Sequence, residues 1–182
     1  ARGGAANELF GTSRHTHSNF GSACTTGASG LNRPYCTVGG GLGNVASGAY
    51  AVVAAGAASK ATGPWSAVLG GQDNTASGTH SAVSGGRDNT ADGGGSVVAG
   101  GVFDSAFGLN STIGGGSTNK TSAIYATVSG GYSNRALAHA GGILSGMYNL
   151  AGDAAGDTAA VVAGGYNNAA IGMFSSVGGG QD

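Results

Sequence analysis

Residues 66–80 decide the fold, and they read S-A-V-L-G-G-Q-D-N-T-A-S-G-T-H. In this stretch the β-branched Val68 stands before two glycines, Asn74 follows six positions after it, and Ala76 follows eight positions after it. The same order recurs on both sides, and we call the β-branched residue of each copy its anchor. The anchors are Val38, Val53, Val68, Val83, Val98, Ile113, Val128, Ile143, Val162 and Val177. Their spacing is 15 residues at every step but one, where four extra residues stand near Asp153–Gly156.

The consensus of the copies, S-x-V-x-G-G-x-x-N-x-A-x-G-x-x, predicts one turn of a solenoid. Ser-x-Val-x-Gly alternates with a period of two, as a short strand does, and Gly-Gly forms a tight corner. Asn-x-Ala-x-Gly is a second short strand, and its Gly forms the return corner. We therefore predict an all-β fold, a single parallel β-solenoid (a β-roll) of about ten 15-residue turns. This repeat domain covers residues 35–182, and an irregular cap or interaction arm covers residues 1–34.

Stacked turns place equivalent residues in ladders, one above the next at about 4.8 Å. The anchors form an apolar core ladder. A polar inner ladder follows six positions later, where stacked amides can hydrogen-bond to each other or to the corner backbone. Its members are Asn44, Asn74, Asn89, Asn119, Asn134, Asn149 and Asn168, with Ser59 and Asp104 at the same position in two turns.

The composition excludes several classes of protein. Forty of the 182 residues are Gly, but Gly does not fall at every third position and there are only two Pro, so the chain is not collagen-like. Only 8% of the residues are charged and the net charge is −1, which predicts no nucleic-acid partner. No apolar stretch approaches the roughly 20 residues of a membrane helix, so we expect no membrane insertion. The four His residues have no acid or nucleophile at a recurring position. We therefore expect no enzyme, no catalytic residue, no cofactor and no metal site.

The residues on either side of each anchor predict a partner. They are small, apolar or β-branched, and none is charged, as in Ala67 and Leu69 around Val68. A single turn buries little more than one Val and one Ala, so a lone roll gains little from burial. A monomer would also expose this stripe to water. We therefore expect this face to pack against another copy of the chain.

The consensus resembles the head-domain repeat of trimeric autotransporter adhesins, the YadA-like left-handed parallel β-roll. Residues 66–78 are the clearest copy, and the resemblance covers about residues 35–182. It implies a homotrimer of rolls, display on a cell surface, and an adhesive or structural role. The doubled Gly and the extra residue per turn depart from the usual head repeat, and such repeats also occur in other surface and fibre proteins.

Cys24 and Cys36 are the two cysteines of the chain, and three interpretations are open for them. The first is a disulfide that joins the segment 1–34 to the first turn, which would fit an extracellular protein. The second is a pair of free buried thiols. The third is a zinc site that also uses His15 and His17, although their spacing is unusual for zinc.

An aromatic column stands three positions before the anchors. Corner packing or an oligomer interface is one interpretation of this column, and a platform for a host or matrix glycan is the alternative. Its members are Tyr35, Tyr50, Trp65, His80, Tyr125 and Phe174. Two sequons for glycosylation also occur, and Asn110 is the better candidate because Asn119 is predicted to face inward.

The leading functional hypothesis is a non-enzymatic extracellular or cell-surface protein that self-associates as a homo-oligomer and builds a surface fibre or filament. The sequence stops in mid-repeat at Asp182, which is compatible with a truncated chain or with head-to-tail assembly through residues 1–34. A trimeric adhesin head or a glycan-binding module is the alternative function. Ice binding is disfavoured, because Lys60 and Arg135 interrupt the Thr-rich column that it would use.

Overall fold

The computed structural model describes residues 7–10, 17–27, 34–153 and 156–181. These residues form twenty-two strands of two residues each and no helix. The described segments accordingly offer no helix that could cross a membrane. The predicted fold class, an all-β parallel solenoid with a spacing of about 15 residues, is confirmed.

The strands form two parallel sheets of eleven strands, and the chain alternates between them. We call the first the amide sheet, because most of its strands follow a residue of the Asn ladder. Its strands are β1 (Glu8–Leu9), β3 (Thr25–Thr26), β5 (Val45–Ala46), β7 (Lys60–Ala61), β9 (Thr75–Ala76), β11 (Thr90–Ala91), β13 (Ser105–Ala106), β15 (Lys120–Thr121), β17 (Arg135–Ala136), β19 (Leu150–Ala151) and β21 (Ala169–Ala170).

The second sheet carries the anchors, and we call it the anchor sheet. Its strands are β2 (Ser18–Asn19), β4 (Thr37–Val38), β6 (Val52–Val53), β8 (Ala67–Val68), β10 (Ala82–Val83), β12 (Val97–Val98), β14 (Thr112–Ile113), β16 (Thr127–Val128), β18 (Gly142–Ile143), β20 (Val161–Val162) and β22 (Ser176–Val177). The register keeps each repeat position in line, since Val68 pairs with Val83 and Ala76 pairs with Ala91.

The core is a row of anchors facing a row of Ala. Val68 and Ala76 are both fully buried, as are nearly all of their equivalents, while Val177 in the last turn is only partly buried. Thr121 replaces Ala in one turn, and its hydroxyl donates a hydrogen bond of 2.9 Å to Ser111 Oγ, which satisfies the added polar group.

The two glycines of the Gly-Gly corner have different roles. Gly71 has a φ of +86°, and a Cβ there would overlap the carbonyl oxygen of Gly86 in the next turn. Gly70 has no neighbour within 4 Å of the place where a Cβ would lie. Only the second position therefore requires Gly, which explains why Ala55 and Ser145 are tolerated at the first.

At the return corner, the Gly of the regular turns does not have a positive φ, and Gly172 of the last turn is the exception. The left-handed residue lies two positions later, in the aromatic column, where Trp65 has a φ of +54°. Gly63 is needed because a Cβ there would overlap the carbonyl oxygen of Gly78, one turn along. Close stacking of turns, rather than backbone conformation, selects this Gly.

The N-terminal segment contributes strands to both sheets. In the predicted cap over residues 1–34, strand β1 pairs with β3, and β3 pairs with β5 of the first full turn. Strand β2 pairs with β4 in the anchor sheet. Arg14 and His15 lie outside the described residues, and the boundary at residue 34 stays a prediction.

Candidate interaction surface

The two outer faces of the solenoid differ in charge. On the anchor sheet, the outward residues flank the anchors, and none of them carries a charge from Thr37 to Gly178. On the amide sheet, the outward positions include Lys60, Lys120 and Arg135. The same backbone therefore presents one uncharged face and one charged face.

Apolar groups on the anchor-sheet face are open to solvent. The side chains of Leu69 and Leu144 are 54% and 59% exposed, and Val161 is 39% exposed. Between them the face carries small residues such as Ala82 and Ser84, so nothing bulky interrupts it. A flat face of this kind suits packing against a second flat face.

The dimensions of this face are adequate for an interface. Eleven strands at about 4.8 Å make it about 50 Å long. Across the face, the two residues of each strand and one residue on either side, at about 3.3 Å each, make it about 13 Å wide. One copy thus offers about 650 Å², and two copies together would bury about 1,300 Å². Specific protein interfaces bury about 1,200–2,000 Å² in total.

The first half of the aromatic column is a continuous stack of rings. The ring centroids of Tyr35 and Tyr50 lie 5.1 Å apart, those of Tyr50 and Trp65 lie 5.4 Å apart, and those of Trp65 and His80 lie 5.0 Å apart. The interplanar angles are 20°, 1° and 10°. Each inner ring therefore covers its neighbour's face and shows mainly its edge to solvent.

The second half of the column is not a stack. Tyr125 meets the ring of His139 at 5.9 Å and a tilt of 60°, and Phe174 is 71% exposed. A sugar would need free ring faces in a row, and the column does not present them. This geometry favours corner packing over a glycan platform for the stacked rings.

A second aromatic cluster lies at the Gly-Gly corner, where the sequence aligns Tyr132 and Tyr166 in one column and leaves Tyr148 out. Tyr148 meets Tyr132 at 5.4 Å and Tyr166 at 5.7 Å, with both pairs edge to face. The charge of neighbouring Tyr132 and partial desolvation raise the pKa of the Tyr148 phenol. In the sequence these three tyrosines do not share one repeat position, because Tyr148 stands one position further from its anchor than Tyr132 and Tyr166 do.

The predicted disulfide between Cys24 and Cys36 is wrong, because each residue is a buried thiol with hydrogen-bond partners of its own. Cys24 precedes a strand of the amide sheet, where its Sγ donates to Ser22 O at 3.3 Å. Cys36 precedes a strand of the anchor sheet, where its Sγ donates to Gly48 O at 3.0 Å. The two thiols therefore serve separate ladders on opposite sheets.

The zinc interpretation finds no support in the described residues, which contain no group of three or more potential His, Cys, Asp or Glu ligands. His17 is buried and uses both ring nitrogens on the backbone. Nδ1 accepts from Cys36 N at 3.2 Å, and Nε2 donates to Phe10 O at 3.1 Å. His15 lies outside the described residues.

The inner ladder joins successive turns through side-chain amides. Asn89 Oδ1 accepts from the backbone N of Asp104 at 2.9 Å, one turn along. Asn89 Nδ2 donates to Gly85 O at 3.0 Å and to Gly101 O at 2.9 Å. Each amide thus holds its own corner and the next corner together.

The two sequons lie in different surroundings. Asn119 is buried, and its Nδ2 donates to Gly115 O and to Gly131 O, so the folded chain cannot offer this nitrogen for glycosylation. Asn110 is exposed at the return corner. Glycosylation at Asn110 stays a prediction.

No protein-family model matches the chain, and a search of curated proteins found no significant match. The resemblance to YadA-like repeats therefore extends to the parallel solenoid architecture and has no family match behind it.

Proposed function

We propose that this protein is a non-enzymatic structural or adhesive β-solenoid that self-associates through the outer face of its anchor sheet. The supporting observation is the contrast between the two faces of one rod. Charge is absent from the anchor-sheet face over every described turn, while the amide-sheet face carries Lys60, Lys120 and Arg135. An uncharged face that also exposes apolar side chains suits packing against another protein surface.

The gain from self-association comes from apolar burial. The exposed Leu69, Leu144 and Val161 lie on one side of the rod, and the small residues between them allow close approach. An unpaired charge buried against such a face would cost several kcal/mol, which explains why none is present.

As a functional role, we propose a building block of an extracellular or cell-surface fibre or filament. One associating face pairs two rods side by side, and a fibre requires in addition a second contact, such as stacking of the terminal turns of successive rods. The extracellular location rests on the resemblance to surface-protein repeats, since the thiols form no disulfide. A discrete trimer of rods, as in an adhesin head, would use the same face.

The experiment is light scattering on the full chain after size-exclusion chromatography, with electron microscopy of the same fractions. We expect oligomers or fibres for the unmodified protein. The double variant Leu69→Lys and Leu144→Lys should be monomeric. The matched control is Ile171→Lys, which changes a 57% exposed apolar residue on the amide-sheet face.

The control variant should assemble like the unmodified protein, and circular dichroism should show all three folded. A stable monomer at micromolar concentration without any substitution would refute self-association. Equal loss of assembly in the double variant and the control would place the interface elsewhere.

A further inference from the structure

One position of the inner ladder holds a carboxyl group in place of an amide. Asp104 stands where seven other turns of the regular repeat have Asn, and it is fully buried. No ion pair reaches it among the described residues, where Arg87 and Asp88 form the salt bridge that the structure shows. A buried carboxyl without a cation needs another source of stabilisation.

The two oxygens of Asp104 have unequal surroundings. Oδ1 accepts from the backbone N of Asn119 at 2.7 Å and from its Nδ2 at 3.0 Å. Oδ2 is buried and has no hydrogen-bond partner. All available donors are thus concentrated on one oxygen.

The equivalent turns show what Oδ2 replaces. In the preceding turn, Asn89 Nδ2 lies against Gly86 and donates to the carbonyls of Gly85 and Gly101. Asp104 Oδ2 lies against Gly101 in the same way. The corresponding carbonyls of its own turn therefore meet an oxygen where every Asn turn offers an N–H donor.

We propose that Asp104 is a proton-dependent joint in the rod. It is held as a neutral carboxylic acid whose Oδ2–H donates to one of the two corner carbonyls, those of Gly100 and Gly116. With this proton in place, Asp104 substitutes for an Asn of the ladder. Without it, a carboxylate oxygen faces carbonyl oxygens in a site closed to water, and this turn becomes the least stable of the rod.

The electrostatic surroundings agree with this assignment. Burial raises the pKa of the Asp104 carboxyl, and the two hydrogen bonds from Asn119 oppose this only in part. The charged side chains nearest along the ladder are Arg87 and Asp88 in the preceding turn, which pair with each other, and Lys120 in the following turn. Lys120 Nζ lies over the ring of Phe107 on the outer face, so within the described part of the chain no cation compensates the carboxylate.

The effect of pH follows from the direction of this shift. A folded-state pKa above the unfolded value means that the folded chain binds the proton more tightly. The stabilisation is complete below the ordinary pKa of Asp and is lost as the pH rises through the raised pKa. A rise in pH through the raised pKa of Asp104 should therefore loosen the rod at this turn first.

The experiment titrates the full chain, labelled with ¹³C at the Asp carboxyl groups, by NMR, and measures the melting temperature across the same pH range. Asp104→Asn identifies the Asp104 resonance and supplies the missing donors. We expect the Asp104 carboxyl to stay protonated at pH values where the other Asp carboxyls have ionised. Asp104→Asn should melt about 5 °C higher than the unmodified protein at high pH, with the difference vanishing in acid.

Two further variants isolate the cause. Asn89→Asp places a second carboxyl in the ladder and should lower the melting temperature at high pH and recover it in acid. Asp73→Asn, at an exposed corner, should leave the pH dependence unchanged. An Asp104 resonance that titrates with the surface acids would overturn the proposal. So would a rise in melting temperature on adding Ca²⁺ that Asp104→Asn abolishes, because a cation would then replace the proton.

Discussion

Asn134 Oδ1 accepts a hydrogen bond of 3.0 Å from the backbone N of Asn149, one turn along the rod. The Nδ2 of the same amide donates to Gly130 O at 3.1 Å and to Gly146 O at 2.8 Å. One buried side chain thus satisfies three backbone groups on two successive turns. The polar ladder acts as a clamp between corners that hold few apolar contacts.

The first prediction removes this clamp. Asn134→Ala should lower the free energy of unfolding by about 3–5 kcal/mol, because the backbone groups that it satisfied lose their partners. Urea denaturation followed by circular dichroism measures the change. Arg135→Ala is the control, since it alters the neighbouring exposed side chain, and it should cost no more than about 0.5 kcal/mol. A similar cost for both variants would show that the ladder adds no specific stability.

The strict 15-residue period made the ladders of residues 35–182 predictable, because position in the repeat fixes position in the turn. The ladder nevertheless begins earlier, at Asn7. Its Oδ1 accepts from Cys24 N at 2.9 Å, and its Nδ2 donates to Gly21 O at 2.7 Å, as in the regular turns. Asn7 and Cys24 are 17 residues apart, and Cys24 and Asn44 are 20 apart. Because the connections in this segment differ in length, a search for one fixed period does not find its ladder positions.

The disulfide prediction failed for a related reason. The separation of 12 residues between Cys24 and Cys36 does not show on which sheet each side chain lies. That is known only once the chain is placed on its two sheets. Each thiol occupies a position that a small polar residue holds in other turns, as Ser59 and Ser66 do. The presence of two cysteines indicated a disulfide, whereas the repeat positions that they occupy are positions whose side chains are buried.

The second prediction compares two adjacent glycines. Gly71→Ala should destabilise the protein by at least about 3 kcal/mol, because the new Cβ meets the carbonyl of Gly86 and Ala must adopt a positive φ. Gly70→Ala should change stability by no more than about 0.5 kcal/mol, since its Cβ enters open space. Thermal unfolding of the two variants side by side measures the contrast. If the two variants have the same melting temperature, the close approach of turns does not select this glycine.

The third prediction concerns the thiols. Neither Cys24 nor Cys36 should react with a thiol reagent in the folded protein, and both should react after denaturation, because both are buried and hydrogen-bonded to carbonyl oxygens. A reducing agent should leave the melting temperature unchanged. Mass spectrometry of the alkylated chain counts the free thiols. A chain that takes up label only after reduction would show that the cysteines are paired with each other.

The fourth prediction tests the role of the stacked rings. Trp65 lies between Tyr50 and His80, so Trp65→Ala removes two ring contacts and should lower the free energy of unfolding by about 1–3 kcal/mol. Phe174→Ala is the matched control, because Phe174 occupies the same left-handed corner position without a ring contact among the described residues. It should cost about 0.5 kcal/mol or less.

A glycan array on the same two proteins separates packing from recognition. If the stack serves packing, Trp65→Ala loses stability while any glycan binding by the assembled protein persists. If the column is a platform for sugars, Trp65→Ala abolishes glycan binding and leaves assembly and stability intact. The stacking angle of 1° between Tyr50 and Trp65 favours the first outcome, because each ring face that a sugar would need is already covered by the neighbouring ring.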